Sequence, residues 1–141
     1  MGQKMANPPS SAVPLIGRIL MSSVFLIFGV LKFVTFPYYV QLAAGRGMPL
    51  PSAAIAAAAL LEILGGLAIL IGFQTRVTSW VLFVYLIPTS ILFHNYWALE
   101  GALRASMEVH FFKNMAIMGG LLFLATYGAG PYSIDDWRAR G

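Results

Sequence analysis

Four apolar runs, each about the length of a bilayer crossing, predict an all-α integral membrane protein folded as a four-helix bundle. Two further observations agree. Charged residues make up 10% of the chain, against about 25% in a typical soluble domain. The chain is also 59% hydrophobic, with a mean hydropathy of +0.78. Its 141 residues make one small domain the expected unit.

Residues 1–13 are expected to form a flexible or interfacial lead, because Pro8, Pro9 and Pro14 prevent an earlier helix. The apolar stretch that follows is longer than the core of a secretory signal, and no small-x-small cleavage site ends it. Gly2 follows Met1, but Ala6 stands where a myristoylation pattern requires Ser or Thr.

The first span is placed at about 14–36, with Arg18, Ser22, Phe25, Gly29, Lys32 and Phe36 on one face at helical spacing. The second runs at about 51–72, with Ala58, Glu62, Gly65, Ile69 and Gly72 on one face. Small residues let helices approach closely in lipid, so these two faces are expected to meet. FQTR, residues 73–76, has room only for a tight turn, which makes the second and third spans an antiparallel hairpin. The third span, about 77–97, carries Pro88, where one backbone donor is lost and a kink is expected. The fourth, about 110–130, shows a stripe of Lys113, Ala116, Gly120 and Tyr127. Gly65, Gly66, Gly119 and Gly120 read as packing glycines. The links at about 37–50 and 98–109 lie at the end away from the termini, and the first is expected to pack over the bundle. Residues 131–141 form a polar tail in which Asp135 and Asp136 cap a short terminal turn.

Both termini fall on one side. Lys4, Arg18, Arg76, Arg138 and Arg140 lie there, against Lys32, Arg46, Arg104 and Lys113 on the other. Setting aside Arg18, Lys32 and Lys113 as residues inside the spans, the bias puts the termini in the cytoplasm. The formal net charge of +4 does not indicate nucleic acid, because the basic residues are scattered singly. With no cysteine, disulfides, thiol relays and thiolate metal sites are excluded from this chain.

Glu62 sits near the middle of the second apolar run, at a depth where a carboxylate costs roughly 3 kcal/mol on insertion scales. It lies roughly 16 Å below the outer end of its span, and Lys32 and Lys113 lie roughly 5 Å below theirs. A lysine side chain bridges much of such a gap. Arg18 is expected to approach from the inner side. Around the outer end stand His94, Asn95, Glu108, His110 and Asn114. The resulting expectation is an outward polar pocket with Glu62 at its floor. The candidate ligand residues are Lys32, Glu62, His94, Asn95, His110, Lys113 and Asn114, and Glu62 is the candidate proton-handling group. The alternatives are a structural ion pair for Glu62, interfacial roles for the histidines and snorkelling for the lysines. His94 and His110 match no zinc-ligand spacing, so no metal site is expected.

Several segments carry a family resemblance. They are Gly29 with Lys32, LEILGGLAILIGFQTR at 61–76, FHNYW at 93–97, HFFKNMAIMGGLL at 110–122 and GAGPYSIDDW at 128–137. In order and spacing the chain resembles the DoxX family over about residues 15–137. The resemblance implies a four-helix bacterial inner-membrane protein. It also implies a link to redox systems, since some relatives are subunits of a thiosulfate:quinone oxidoreductase and others partner soluble redox enzymes. Three functions are then in view. The first is a small oxidoreductase subunit contributing to a quinone- or lipid-like ligand site. The second is an accessory subunit that stabilises a larger complex. The third is a small transporter, disfavoured because four short spans leave little room for alternating access. No flavin, haem or nicotinamide motif is present, so an enzyme acting alone is not expected, and quinone is the one cofactor in view. The expected partners are the bilayer and either other redox subunits or further copies of the chain.

Overall fold

The computed structural model describes residues 11–141, and among these every regular element is helical. Helix α1 spans Val13–Val34, α2 Phe36–Gly45, α3 Pro51–Ile71, α4 Thr75–Phe93, α5 Gly101–Tyr127 and α6 Ile134–Arg140. A 3-10 turn, Tyr96–Ala98, leads from α4 towards α5. Four segments, built on α1, α3, α4 and α5, are long and apolar enough to cross a membrane. The all-α membrane fold expected from the sequence is the fold observed. The reading of residues 1–10, with Lys4, Pro8 and Pro9, lies outside the described residues.

Local chemistry explains where the helices start and stop. Pro14, Pro37 and Pro51 each occupy the first turn of a helix, where a missing N–H costs nothing. α3 ends at Gly72, whose φ of +67° gives the left-handed cap that glycine adopts freely. The Phe73 N–H closes that cap on the Ala68 carbonyl at 2.9 Å. A side chain at Gly72 would also collide with Ser133 and Arg18, so this position needs glycine on two counts.

The most extensive interface is α1 against α3, followed by α4 against α5, with α3 against α4 joining the two pairs. The α1 face that meets α3 is Arg18, Ser22, Phe25 and Gly29, all buried. A Cβ added at Gly29 would stand 3.1 Å from the Ile63 backbone nitrogen, so the two helices touch nearly backbone to backbone. Phe25, Ile69, Leu82, Leu86, Met118 and Leu121 form the apolar core. Large apolar side chains such as Leu20, Leu64, Val84 and Phe123 face outwards. In a membrane that outward belt meets acyl chains.

Five local readings are sharpened or corrected. The link at 37–50 packs over the bundle, as expected, but mostly as helix α2, whose Ala43 is fully buried. α5 begins at Gly101, so most of the second expected link is helix. The buried face of α5 is Met118, Leu121 and Ala125; Lys113, Ala116 and Tyr127 are exposed. The α5 pattern is apolar nearly all round, which left its inward face unmarked. Gly119 packs against nothing within 4 Å, whereas Gly65 and Gly66 accept Leu82 and Leu26. α4 continues as one helix through Pro88.

Candidate functional site

Glu62 is buried at 5% exposure in the middle of α3. Its Oε2 lies 2.7 Å from Lys32 Nζ on α1, and its Oε1 accepts a 2.6 Å hydrogen bond from the Tyr85 hydroxyl on α4. Three helices are therefore joined through one carboxylate. Close approach of α1 at Gly29, next to the Cβ of Glu62, brings Lys32 within reach. Lys32 Nζ also stands 5.2 Å from the Tyr39 ring centre, so α2 closes over the pair from the outer end. Burial, and then the charge of Glu62, raise the Tyr39 phenol above its ordinary value of 10.0. Tyr85 was not singled out in the sequence. The available signal was a tyrosine inside an apolar span, since a buried phenol needs a partner.

Arg18 does not approach Glu62. It is fully buried and its guanidinium holds three carbonyls: Leu70 at 2.8 Å, Pro131 at 3.2 Å and Tyr132 at 2.7 Å. These are the carbonyl ends of α3 and of the segment before α6, where a cation is favoured. The guanidinium therefore works at the end of the bundle beside α6, away from the carboxylate that was expected to attract it.

A second polar grouping lies at the outer ends of α4 and α5. The rings of His94 and His110 stack with centres 5.3 Å apart and planes within 19°. Arg46, at the end of α2, donates from Nη1 to the Leu92 carbonyl at 2.9 Å and to Asn95 Oδ1 at 2.5 Å. His94 Nδ1 is buried without a hydrogen-bond partner. One turn deeper, Asn114 Nδ2 donates to Ser90 Oγ at 3.0 Å, and Ser90 is buried. Lys113 is exposed. Among the described residues no hydrogen bond ties His94, Asn95, His110 or Asn114 to Glu62 or Lys32. No group of three or more His, Asp and Glu side chains is gathered among them for a metal.

Two hollows complete the picture. One, a half-open groove of about 500 Å³, lies between the second half of α4 and the middle of α5. Phe83, Ile87, Phe111, Met115 and Gly119 wall it, and Ser90 is its hydroxyl-bearing residue. The other, of about 590 Å³, lies beside α6. Glu62, Lys32 and His94 line neither.

The α6 region is a junction. Ser133 Oγ donates to the Gly130 carbonyl at 2.6 Å and accepts the Asp136 N–H at 3.1 Å, capping α6. Asp135 caps a different helix: its carboxylate accepts the N–H groups of Gln74 at 2.9 Å and Thr75 at 2.8 Å, at the start of α4. The Ser-Ile-Asp spacing thus starts one helix and caps another. Residues 131–141 are docked by these contacts.

The DoxX family model matches residues 13–95. Inner membrane protein YphA of Escherichia coli is 35% identical over 121 residues, 86% of each chain. Inner membrane protein YqjF of Escherichia coli is 39% identical over 121 residues, covering 86% of this chain and 88% of its own. The ER-derived vesicles protein ERV29 of Saccharomyces cerevisiae is 34% identical over 76 residues, covering 54% of this chain and 24% of its own. No solved structure matches at a significant level. With four membrane-length helices, a family match over more than half its length and two inner-membrane relatives matched nearly end to end, this chain belongs to the DoxX family of membrane proteins.

Proposed function

We propose that this chain is a small bacterial inner-membrane subunit of a redox system, holding a quinone-like apolar ligand in the hollow between α4 and α5. The observation that carries this reading is the hollow itself. Its volume of about 500 Å³ falls in the ordinary range for small-molecule sites. Its walls are aromatic and aliphatic, and Ser90, whose hydroxyl already donates to the Leu86 carbonyl and accepts from Asn114, is its one hydroxyl-bearing residue, so an apolar ring is what the walls would hold. Such a site fits a quinone ring and the start of its tail. A bound quinone would supply the electron chemistry. The chain's own residues bind it, shield it from water and hold protons. Tyr85 lies on α4 and bonds to Glu62, which gives a phenol, a carboxylate and an ammonium in direct contact behind that helix.

The test is quinone-linked turnover in native vesicles. Gly119→Leu fills the hollow and abolishes turnover on this reading. Tyr85→Phe lowers it by roughly 100-fold if the phenol moves a proton in the rate-limiting step. Unchanged turnover in Gly119→Leu would remove the ligand from this hollow. The orientation that accompanies the reading puts both termini in the cytoplasm. Alkaline phosphatase fused after Gly141 should be inactive, and an active fusion would reverse the orientation.

The second reading is a non-catalytic accessory subunit. It is favoured by one observation: both oxygens of Glu62 are already engaged, and the network they make joins α1, α3 and α4. Under that reading Tyr85→Phe changes stability and leaves turnover per assembled complex untouched.

A further inference from the structure

The histidine pair at the outer end has a feature that the ligand proposed above does not use. His94 and His110 are the only histidines in the chain, and they stack face to face. Lys113 follows His110 by about one turn of α5, and Arg46, at the end of α2, is hydrogen-bonded to Asn95, the chain neighbour of His94. Among the described residues, the side-chain ion pairs are Lys32 with Glu62 and Arg140 with Asp136, so Arg46 and Lys113 have no acidic partner. Arg46 commits Nη1 to Leu92 and Asn95, which fixes its guanidinium against the residues on either side of His94. None of its other nitrogens is buried without a partner, which leaves them accessible. His94 Nδ1, by contrast, is buried and unpartnered.

Arg46 from α2 and Lys113 from α5 are cations with no ion-paired acid, and an anion held between them and the two imidazoles would offset their charge. A guanidinium offers a planar fork of donors that matches oxyanions in two-point contact. An imidazole adds a donor on either nitrogen, and an exposed lysine adds a mobile ammonium. Arg46 was passed over in the sequence because its span-end neighbours gave no pattern; its place beside Asn95 comes from the packing of α2.

We propose that His94, His110, Arg46 and Lys113 form an oxyanion site at the outer end of α4 and α5 that takes a phosphate group. This does not rest on the quinone reading. The phosphate is supplied by a lipid headgroup or by a soluble phosphate, and the two sources are separable by experiment.

The two imidazoles report on the site directly, since no other histidine contributes signal. The full chain in a phosphate-free, non-ionic detergent is titrated with inorganic phosphate, with chloride at equal ionic strength as control. The ¹⁵N signals of both rings are followed. Both should shift saturably with phosphate and not with chloride. Lys113→Gln, at an exposed position, should weaken the apparent affinity by roughly tenfold. Arg46→Lys keeps the charge but loses the fork, and should also weaken binding. In phosphatidylcholine nanodiscs, adding phosphatidic acid should shift the same signals and block free phosphate if the source is lipid. If phosphatidic acid has no effect and free phosphate still binds, the source is soluble. No saturable response to either, or an unchanged response in Lys113→Gln, would overturn the site.

Discussion

Glu62 joins three helices by two contacts, at 2.7 Å to Lys32 and 2.6 Å to Tyr85. With side-chain exposures of 12% and 6%, the Lys32–Glu62 pair is protected from water. Removing one partner of a buried pair leaves a charge uncompensated, at a cost of about 3–5 kcal/mol. Glu62→Gln is therefore expected to lower stability by about 3 kcal/mol in a detergent-unfolding assay. The double variant Lys32→Met, Glu62→Leu should recover most of that loss, because two apolar groups replace two charges. A double variant as unstable as the single one would mean that the pair's worth lies in packing and not in charge. The carboxylate was legible in the sequence because charge inside an apolar run is expensive and conspicuous. Lys32 was legible from its place on the same face as Gly29. Tyr85 and Ser90 were not, because phenols and hydroxyls are common in spans and nothing in one sequence selects among them. The partners of Arg18 were hidden for another reason: they are backbone carbonyls, which no side-chain pattern encodes.

At the scale of elements, the four long helices were readable from hydropathy and their contacts from the small faces of α1 and α3. The short helices were not. Phe36–Gly45 follows α1 after a single residue, Thr35, and its Pro37 reads as a breaker although it starts a helix. α6 is seven residues long, too short for a periodic signal. Its role rests on Asp135, whose carboxylate receives two N–H groups at the start of α4. Burial opposes the charge on Asp135, but the bonds from Thr75 and Gln74 and the charge of Arg138 outweigh it. The group is held below its ordinary value of 3.8. A depressed carboxylate stabilises the fold above its unfolded value, and that contribution is lost as the pH falls through the folded one. Asp135→Asn should therefore cost about 0.5 kcal/mol near neutral pH, since it removes the charge at the start of α4. The gap between the variant and the parent should close as the pH falls below 3.8. Unfolding midpoints measured at several pH values would show this. A gap that stays constant with pH would mean that the cap acts through shape and not through charge.

For the molecule as a whole, the bundle divides its polar chemistry between its two ends and one buried point. The end beside α6 commits its arginines to helix carbonyls. Arg18 holds Leu70, Pro131 and Tyr132, and Arg76 donates to Ala125 at 3.4 Å and to Thr126. This end is a structural lock, which accounts physically for the Gly-rich GAGPYSIDDW segment. Among the described residues, Arg46, Lys113 and the two histidines at the opposite end make no ion pair with an acid. Between them lies the hollow beside Ser90. The sequence brought these outer residues together as one pocket with Glu62 at its floor. The folded chain separates them into a buried triad, a histidine cluster and an apolar hollow, because α4 stands between Glu62 and α5.

The central claim, a quinone-like ligand held between α4 and α5, is tested most directly by a native mass spectrum of the chain extracted from its own membrane in mild detergent. The account predicts a stoichiometric apolar quinone on the parent chain and none on Gly119→Leu. A chain that carries no such ligand, or a Gly119→Leu variant that keeps it, would contradict the account.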